Sequence, residues 1–80
     1  MAFIPQNKLP EHELTGKNFK SLVEIATGAG IFEEGTILTI TLVITHNGRK
    51  NLPTSLWLVD EEGNSLHTNY LDFLKNFQAV

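Results

Sequence analysis

Apolar and polar residues alternate along residues 36–45, and this pattern predicts one long β-strand. Leu38, Ile40, Leu42 and Ile44 occupy every second position, and threonines occupy most of the positions between them. A period of two places successive side chains on opposite faces of a strand, and both Ile and Thr suit a pleated sheet. The pattern therefore predicts a half-buried strand whose core-facing side is formed by these four apolar residues.

Shorter segments of the same kind, separated by turn residues, predict four further strands. We place these strands at residues 18–26, 55–60, 65–68 and 77–80. Each of the turns between the first four predicted strands contains glycine, which permits positive φ. The predicted turns are at residues 27–30, 33–35, 46–48 and 60–64. The chain is therefore expected to belong to the all-β class.

The last twelve residues carry both helical and strand patterns. Four aromatic or aliphatic residues follow the i, i+3, i+4, i+7 spacing of one helix face: Tyr70, Phe73, Leu74 and Phe77. Asn69 is a suitable N-cap, with Asp72 three residues later in an approximate capping-box position. Alternation in the same segment also fits a strand. We expect one or two helical turns at residues 69–75, followed by the closing strand.

Composition limits the classes of function. A chain of 80 residues forms one domain and buries only about 60% of its unfolded surface. The absence of cysteine excludes disulfides, thiolate metal sites and cysteine nucleophiles. The net charge is −3, and the six basic residues are scattered along the chain. Because phosphate contacts dominate nucleic-acid affinity and call for a basic stripe, this distribution disfavours nucleic acid as a partner.

The N-terminal residues 1–16 are expected to form an irregular lead that precedes a domain over residues 17–80. Pro5 and Pro10 disfavour helix at the residues before them. The lead has no charged region followed by an apolar core, so it does not resemble a secretory signal. No apolar run approaches the roughly 20 residues that span a bilayer. The expected location is the cytoplasm.

Candidate catalytic and metal-binding groups are weak in this sequence. The acidic clusters at residues 33–34 and 60–62 adjoin glycines in predicted turns, where solvated carboxylates are common. No serine lies in a G-x-S-x-G motif. The histidine spacings match no zinc motif; the three residues are His12, His46 and His67. We therefore expect a protein that is not an enzyme and that has no metal or other cofactor.

Four segments, in order, resemble small Src-homology-3-like (SH3-like) barrels, especially those of bacteria and their phages. Residues 32–40 resemble the acidic turn, glycine and alternating strand that follow the long first loop of such barrels. Residues 57–63 resemble their central strand and distal turn. Residues 68–71 resemble the step into a short 3₁₀ turn, and residues 77–80 the closing strand. The resemblance implies a five-stranded barrel with a short helical turn before its last strand.

The residues that bind proline-rich peptides in the eukaryotic members of this family are mostly absent. The tyrosine-containing signature of the first strand is replaced by Val23-Glu24-Ile25-Ala26-Thr27. Leu56 stands where the first tryptophan of a Trp-Trp pair is expected, and Trp57 matches the second. His67 replaces the proline of the helical step, so that only Tyr70 matches a peptide-binding position. Recognition of proline-rich peptides is therefore not implied.

The predicted function is a small non-enzymatic module that contacts a protein partner, with homo-oligomerisation possible. The candidate contact residues are aromatic, or lie in loops beside the expected binding surface: Ile31, Phe32, Arg49, Pro53, Trp57 and Tyr70. Trp57 has two interpretations, of which we favour a plug at one end of the barrel over an exposed anchor. A nucleic-acid-binding barrel is the first alternative. A structural or assembly subunit of a phage particle is the second.

Overall fold

The computed structural model describes residues 13–28, 30–49 and 51–80, and it is mostly β-structure. A single turn of 3₁₀ helix spans His46–Gly48, and one α-helix, α1, spans Tyr70–Asn76. The strands, in chain order, are β1 Asn18–Ser21, β2 Ile25–Thr27, β3 Gly30–Phe32, β4 Ile37–Thr45, β5 Pro53–Val59, β6 Ser65–Asn69 and β7 Phe77–Ala79. The predicted all-β class is therefore confirmed.

Five of these strands form one antiparallel sheet in the order β6-β5-β4-β1-β7, and β2 and β3 form a separate hairpin. Within the described ranges no ladder joins β6 to β7, so the sheet is not closed into a barrel by strand pairing. The hairpin lies in sequence between the neighbouring strands β1 and β4. The chain therefore leaves the sheet after β1, forms the hairpin, and re-enters the sheet at β4, the strand beside β1.

The predicted first strand over residues 18–26 is wrong, because the chain leaves the sheet after Ser21. Residues 22–24 separate β1 from β2, and Leu22 and Val23 are exposed. The Leu22 N–H donates to the carbonyl of Asn76, at the end of α1, at 2.7 Å. The segment that reads as one strand is thus two, which belong to different sheets.

The strand β4 confirms the predicted boundaries within one residue but not the predicted buried face. Ile40 lies opposite Leu58, whereas Leu42 lies opposite Trp57, so Thr41 is an extra residue. Such a β-bulge shifts the alternation by one position. Ile40 is only 1% exposed, while Leu42 is 52% exposed. The prediction that residues 42 and 44 face the core is therefore wrong.

Two threonines stabilise the irregular positions of the β4–β5 ladder. The Thr41 hydroxyl donates to the Trp57 carbonyl at 3.3 Å, and the Thr54 hydroxyl donates to the Ile44 carbonyl at 3.1 Å. The second register shift falls between Ile44 and Thr45. At both places a side chain supplies a hydrogen bond where the regular ladder is interrupted.

The core lies against the inner side of the sheet and is covered by α1 and by two residues of the hairpin, buried Phe32 and partly buried Ile25. Its buried members are Phe32, Leu38, Ile40, Leu56, Leu58, Leu66, Phe73 and Phe77. The Asn69 side chain accepts a hydrogen bond from the Asp72 N–H at 2.8 Å and thereby caps α1. The predicted helical turns and their N-cap are therefore confirmed.

Part of the predicted irregular lead belongs to the folded domain. Residues 13–16 form a turn, in which Leu14 packs against the core. The Gly16 N–H donates to the Ile40 carbonyl at 2.8 Å. Gly16 has a φ of 88°, which favours glycine at the point where this turn meets β1. Residues 1–12 lie outside the described residues.

Ser21, the last residue before the chain leaves the sheet, forms hydrogen bonds with the residues that follow the hairpin. Its side chain is buried, and its hydroxyl donates to the Glu33 carbonyl at 2.9 Å and accepts from the Thr36 N–H at 3.2 Å. The Ser21 N–H also donates to the Thr36 carbonyl, and its carbonyl accepts from the Gly35 N–H. The place where the chain leaves the sheet and the place where it returns are thus joined through one residue.

We expect Ser21→Ala to lower the free energy of unfolding by about 1–3 kcal/mol, because it removes both hydrogen bonds of a buried hydroxyl. Urea denaturation followed by circular dichroism measures this change. Ser65→Ala, at an exposed position of β6, is the matched control and should be within about 0.5 kcal/mol of the parent. Equal effects of the two substitutions would contradict the role of Ser21.

No helix among the residues that the structure describes is sufficiently long and apolar to pass through a membrane.

Candidate functional site

Three side chains of neighbouring strands form an exposed row on the outer side of the sheet. Leu42 of β4 lies opposite Trp57 of β5, which lies opposite His67 of β6. The Trp57 and His67 rings have centroids 4.8 Å apart and are tilted by 37°. Because these residues occupy one register row, their side chains share a face.

The next row extends this surface along the same strands. Ile44 lies opposite Ser55, which lies opposite Asn69, and Ile44 is exposed. On the other side of the first row, Val59 lies between Thr39 and Ser65. None of these outward positions carries Asp, Glu, Lys or Arg. We call the surface formed by Leu42, Ile44, Trp57 and His67 the outer face.

The bulge at Thr41 creates the outer face. Without the extra residue, Leu42 and Ile44 would continue the inward alternation of Leu38 and Ile40. With it, Val43 packs against the core instead, and its two neighbours point outward beside Trp57. The alternation along residues 36–45 by itself assigns Leu42 and Ile44 to the core side and so conceals their position on the outer face. The only local signal is the threonine whose hydroxyl completes the bulge.

Trp57 lies on the outer face, so the favoured interpretation as a plug of the core is wrong. Leu56 and Leu58, its neighbours on β5, are completely buried, whereas Trp57 is 37% exposed. Its ring contacts His67 and does not belong to the core cluster. Its position agrees with the alternative interpretation, in which Trp57 is an exposed aromatic residue.

The other predicted contact residues do not form one surface with Trp57. Phe32 is only 6% exposed and belongs to the core, so it offers little contact area, although its neighbour Ile31 is highly exposed. Pro53 and Tyr70 line a groove of about 430 Å³ beside the start of α1. Arg49 is exposed in the loop after the 3₁₀ turn and does not line that groove.

An acidic groove of about 430 Å³ lies between the hairpin and the turn after β5. Within the described part of the chain no lysine or arginine lines it. Four carboxylate residues do: Glu33, Asp60, Glu61 and Glu62. Exposed Ile31 and Ile37 supply its apolar part. The two acidic clusters that the sequence places in separate turns are thus brought to one groove. The groove therefore offers negative charge to a partner.

Asp60 stabilises the turn after β5 through hydrogen bonds to its side chain. Its carboxylate accepts hydrogen bonds from the N–H groups of Glu62 and Asn64 at 2.9 and 2.8 Å, and from the Asn64 side chain at 3.2 Å. Partial desolvation raises the pKa of Asp60, but these hydrogen bonds and one from the Gly63 N–H together lower it below its ordinary value. Asp60 therefore remains ionised and holds the turn.

The histidines are separated in the fold. His67 stacks with Trp57, and the His46 ring lies 3.2 Å from the side-chain nitrogen of Asn47. His12 lies outside the described residues. Over residues 13–28, 30–49 and 51–80 there is no group of three or more histidine or carboxylate side chains that could hold a metal ion.

No protein-family model, curated protein or solved structure matches this chain.

Proposed function

We propose that this chain is a non-enzymatic protein-binding module whose contact surface is the outer face. The observation that carries the proposal is the exposure of Leu42, Ile44 and Trp57 side by side on an uncharged part of the sheet. Adjacent exposed apolar side chains mark interaction surfaces, and tryptophan is enriched among the residues that dominate binding energy. Ser55 and Asn69 on one side, and Thr39 and Ser65 on the other, supply polar groups beside them.

The charge of the chain supports a partner with an apolar centre and basic surroundings. The net charge is −3, and four carboxylates line the acidic groove, with no lysine or arginine among the described residues that line it. A negative surface accelerates encounter with a positive one, whereas an uncharged face can be desolvated at small cost. The outer face would therefore supply contact energy, and the acidic groove would steer the approach.

The fold that we propose is the SH3-like barrel. Its support is the agreement in order between the resemblance in sequence and the observed elements: acidic turn, long strand, distal turn, helical step and closing strand. The sheet order brings β7 beside β1, at the opposite edge from β6, with α1 packed between them on the core. Proline-rich peptide binding has no part in the proposal, because its residues are missing.

Photo-crosslinking in the cell that produces the protein tests the proposal. A benzophenone amino acid at position 42 is expected to give a discrete adduct with a protein, which mass spectrometry identifies. The same group at Leu74, which is exposed on α1 away from the outer face, is the control and should give no such adduct. A nucleic-acid adduct at position 42, or equal protein adducts at both positions, would contradict the proposal.

The identified partner then allows a direct measurement with the purified chain. Trp57 is the single tryptophan of the sequence, so its fluorescence reports on the outer face. Leu42→Ser should raise the Kd at least tenfold, about 1.4 kcal/mol, while Leu74→Ser should leave it unchanged. If Leu42→Ser binds as tightly as the parent, the outer face is not the contact surface.

Nucleic-acid binding is the second candidate, because the Trp57–His67 pair could stack on exposed bases. The outer face has no lysine or arginine to contact phosphates. The basic residue of β1, Lys20, lies opposite Ile37, at another part of the sheet. Titration with labelled single-stranded and duplex DNA and RNA at low salt decides between the candidates, since phosphate contacts are strongest there.

A further inference from the structure

Two strand edges face each other across a groove of about 400 Å³. One wall is β2, with Ile25, Ala26 and Thr27, and the other is residues 66–69 of β6. Asp72 and Asn76 of α1 also line this groove, which we call the slot. In the described part of the chain β2 pairs only with β3, and β6 pairs only with β5. Both walls of the slot are therefore edges without a neighbouring strand.

The register of the hairpin directs one backbone unit of β2 into the slot. Thr27 lies opposite Gly30 and closes a loop of two residues, which in a hairpin is a hydrogen-bonded pair. Hydrogen-bonded and non-hydrogen-bonded pairs alternate in an antiparallel ladder. The next pair, Ala26 with Ile31, is then non-hydrogen-bonded. The N–H and carbonyl of Ala26 thus point away from β3, toward the slot, and those of Ile31 point to the opposite side.

Alternation of the two kinds of pair also fixes the direction of the backbone groups of β6. The Asp60 N–H donates to the Asn64 carbonyl at 3.0 Å, which makes the first pair after the turn a hydrogen-bonded one. Alternation then makes Leu58–Leu66 hydrogen-bonded and Trp57–His67 non-hydrogen-bonded. The His67 backbone therefore points away from β5 into the slot, while its side chain lies on Trp57. His67 therefore belongs to the slot through its backbone and to the outer face through its side chain.

The dimensions of the slot suit one extended segment. A strand residue occupies about 160 Å³, from its rise, the spacing of strands and the thickness of a sheet, so the slot holds roughly two to three residues. β2 is three residues long. An element that enters must have both of its edges free, because it meets β2 on one side and β6 on the other. A strand inside a sheet of a second copy of this chain does not meet that condition.

We infer that the slot binds an extended segment of the partner protein, which pairs through its backbone with Ala26 of β2 and with His67 of β6. Addition of a strand to an unpaired edge is an established mode of peptide recognition. Among the described residues that line the slot, Asp72 alone is charged, so segments with a lysine or arginine are favoured over acidic ones. This inference rests on the proposed function, because the segment would belong to the partner of the outer face.

Selection from a library of random linear heptapeptides on the full chain provides the probe. The most enriched peptide is synthesised and titrated into ¹⁵N-labelled protein, with NMR detection of each amide. We expect slower solvent exchange of the Ala26 and His67 amides in the bound state, with a Kd below about 1 mM. A copy of the peptide that is N-methylated at alternate residues should bind at least about tenfold more weakly, because it lacks donors for one edge.

Proline at a single edge position tests the same contact from the protein side. Ala26→Pro removes the N–H that points into the slot and should weaken binding about tenfold. Ala79→Pro removes an N–H on the outer edge of β7, at the opposite end of the sheet from β6, and should leave the affinity unchanged. Since Ala26→Pro could disturb the hairpin, the N-methylated peptide gives the independent readout.

The outcomes separate this inference from the proposed function. Loss of peptide binding in Leu42→Ser but not in Ala26→Pro would place the peptide on the outer face and overturn the inference, while the proposed function would stand. Failure of the library to yield a peptide with a Kd below about 1 mM would also overturn it. Failure of the proposed function would appear separately, as the absence of a protein adduct at position 42.

Discussion

Ile40→Asp is expected to unfold the domain, whereas Leu42→Asp, two residues later on the same strand, should leave it folded. The Ile40 side chain is almost completely buried among apolar residues, and no basic residue belongs to that cluster. An unpaired buried charge costs several kcal/mol. A domain of this size has a total stability of about 4–12 kcal/mol, so the substitution removes much or all of it.

The comparison with Leu42 makes this test specific for the bulge. If the alternation were unbroken, both side chains would be buried, and both substitutions would lower the free energy of unfolding equally. In the observed register Leu42 is half-exposed, so an aspartate there remains hydrated, and we expect a change of about 1 kcal/mol or less. Thermal melts followed by far-ultraviolet circular dichroism distinguish the two expectations. A cooperative, parent-like melt of Ile40→Asp would contradict the packing of β4.

Features that depend on nearby residues could be predicted from the sequence. The Asn69 cap involves a residue three positions away, and the turn at residues 60–64 is closed by its own aspartate. Gly35 and Gly63 have φ values of 90° and 88°, which few other residues adopt readily, and both mark predicted turns. For the Asn69 cap and the turn at residues 60–64 the partners lie within four residues, so the sequence contains the whole interaction.

The bulge at Thr41 and the break after Ser21 depend on distant partners. Thr41 donates to Trp57, 16 residues away, and Ser21 donates to the Glu33 carbonyl, 12 residues away. Periodicity along one segment carries no information about an extra residue that the opposite strand lacks. For this reason periodicity predicts the position of β4 within one residue but misses the break after Ser21 and the faces of Leu42 and Ile44.

The candidate site depends on those faces and was therefore only partly predictable. Trp57 was named from its residue type, which identifies an interface anchor but not its neighbours. Leu42 joins it only through the register of β4 with β5. Phe32 shows the opposite error, because an aromatic residue near a predicted loop is in fact needed to cover the core. Slot and acidic groove both arise from the position of the hairpin, which no local pattern specifies.

Phe73→Ala is expected to lower the free energy of unfolding by about 3–5 kcal/mol, the range for truncation of a buried phenylalanine. Phe73 is the buried residue of α1, and its ring meets three others. The ring centroids lie 4.8 Å from that of Phe19, 5.4 Å from that of Phe77 and 6.2 Å from that of Tyr70. Removal of the ring leaves a cavity among residues of β1, β7 and the helix itself.

Leu74→Ala is the matched control, since Leu74 is the next residue of the same helix and is largely exposed. Alanine has the highest helix propensity, so this change should cost less than about 1 kcal/mol. Urea denaturation of both variants measures the difference. Because α1 connects β6 to β7 and its only buried side chain is Phe73, the helix should hold the two edges of the sheet on one core through this ring. Similar losses for the two variants would mean that α1 contributes through its backbone, and that the aromatic cluster does not couple β1 and β7 to the helix.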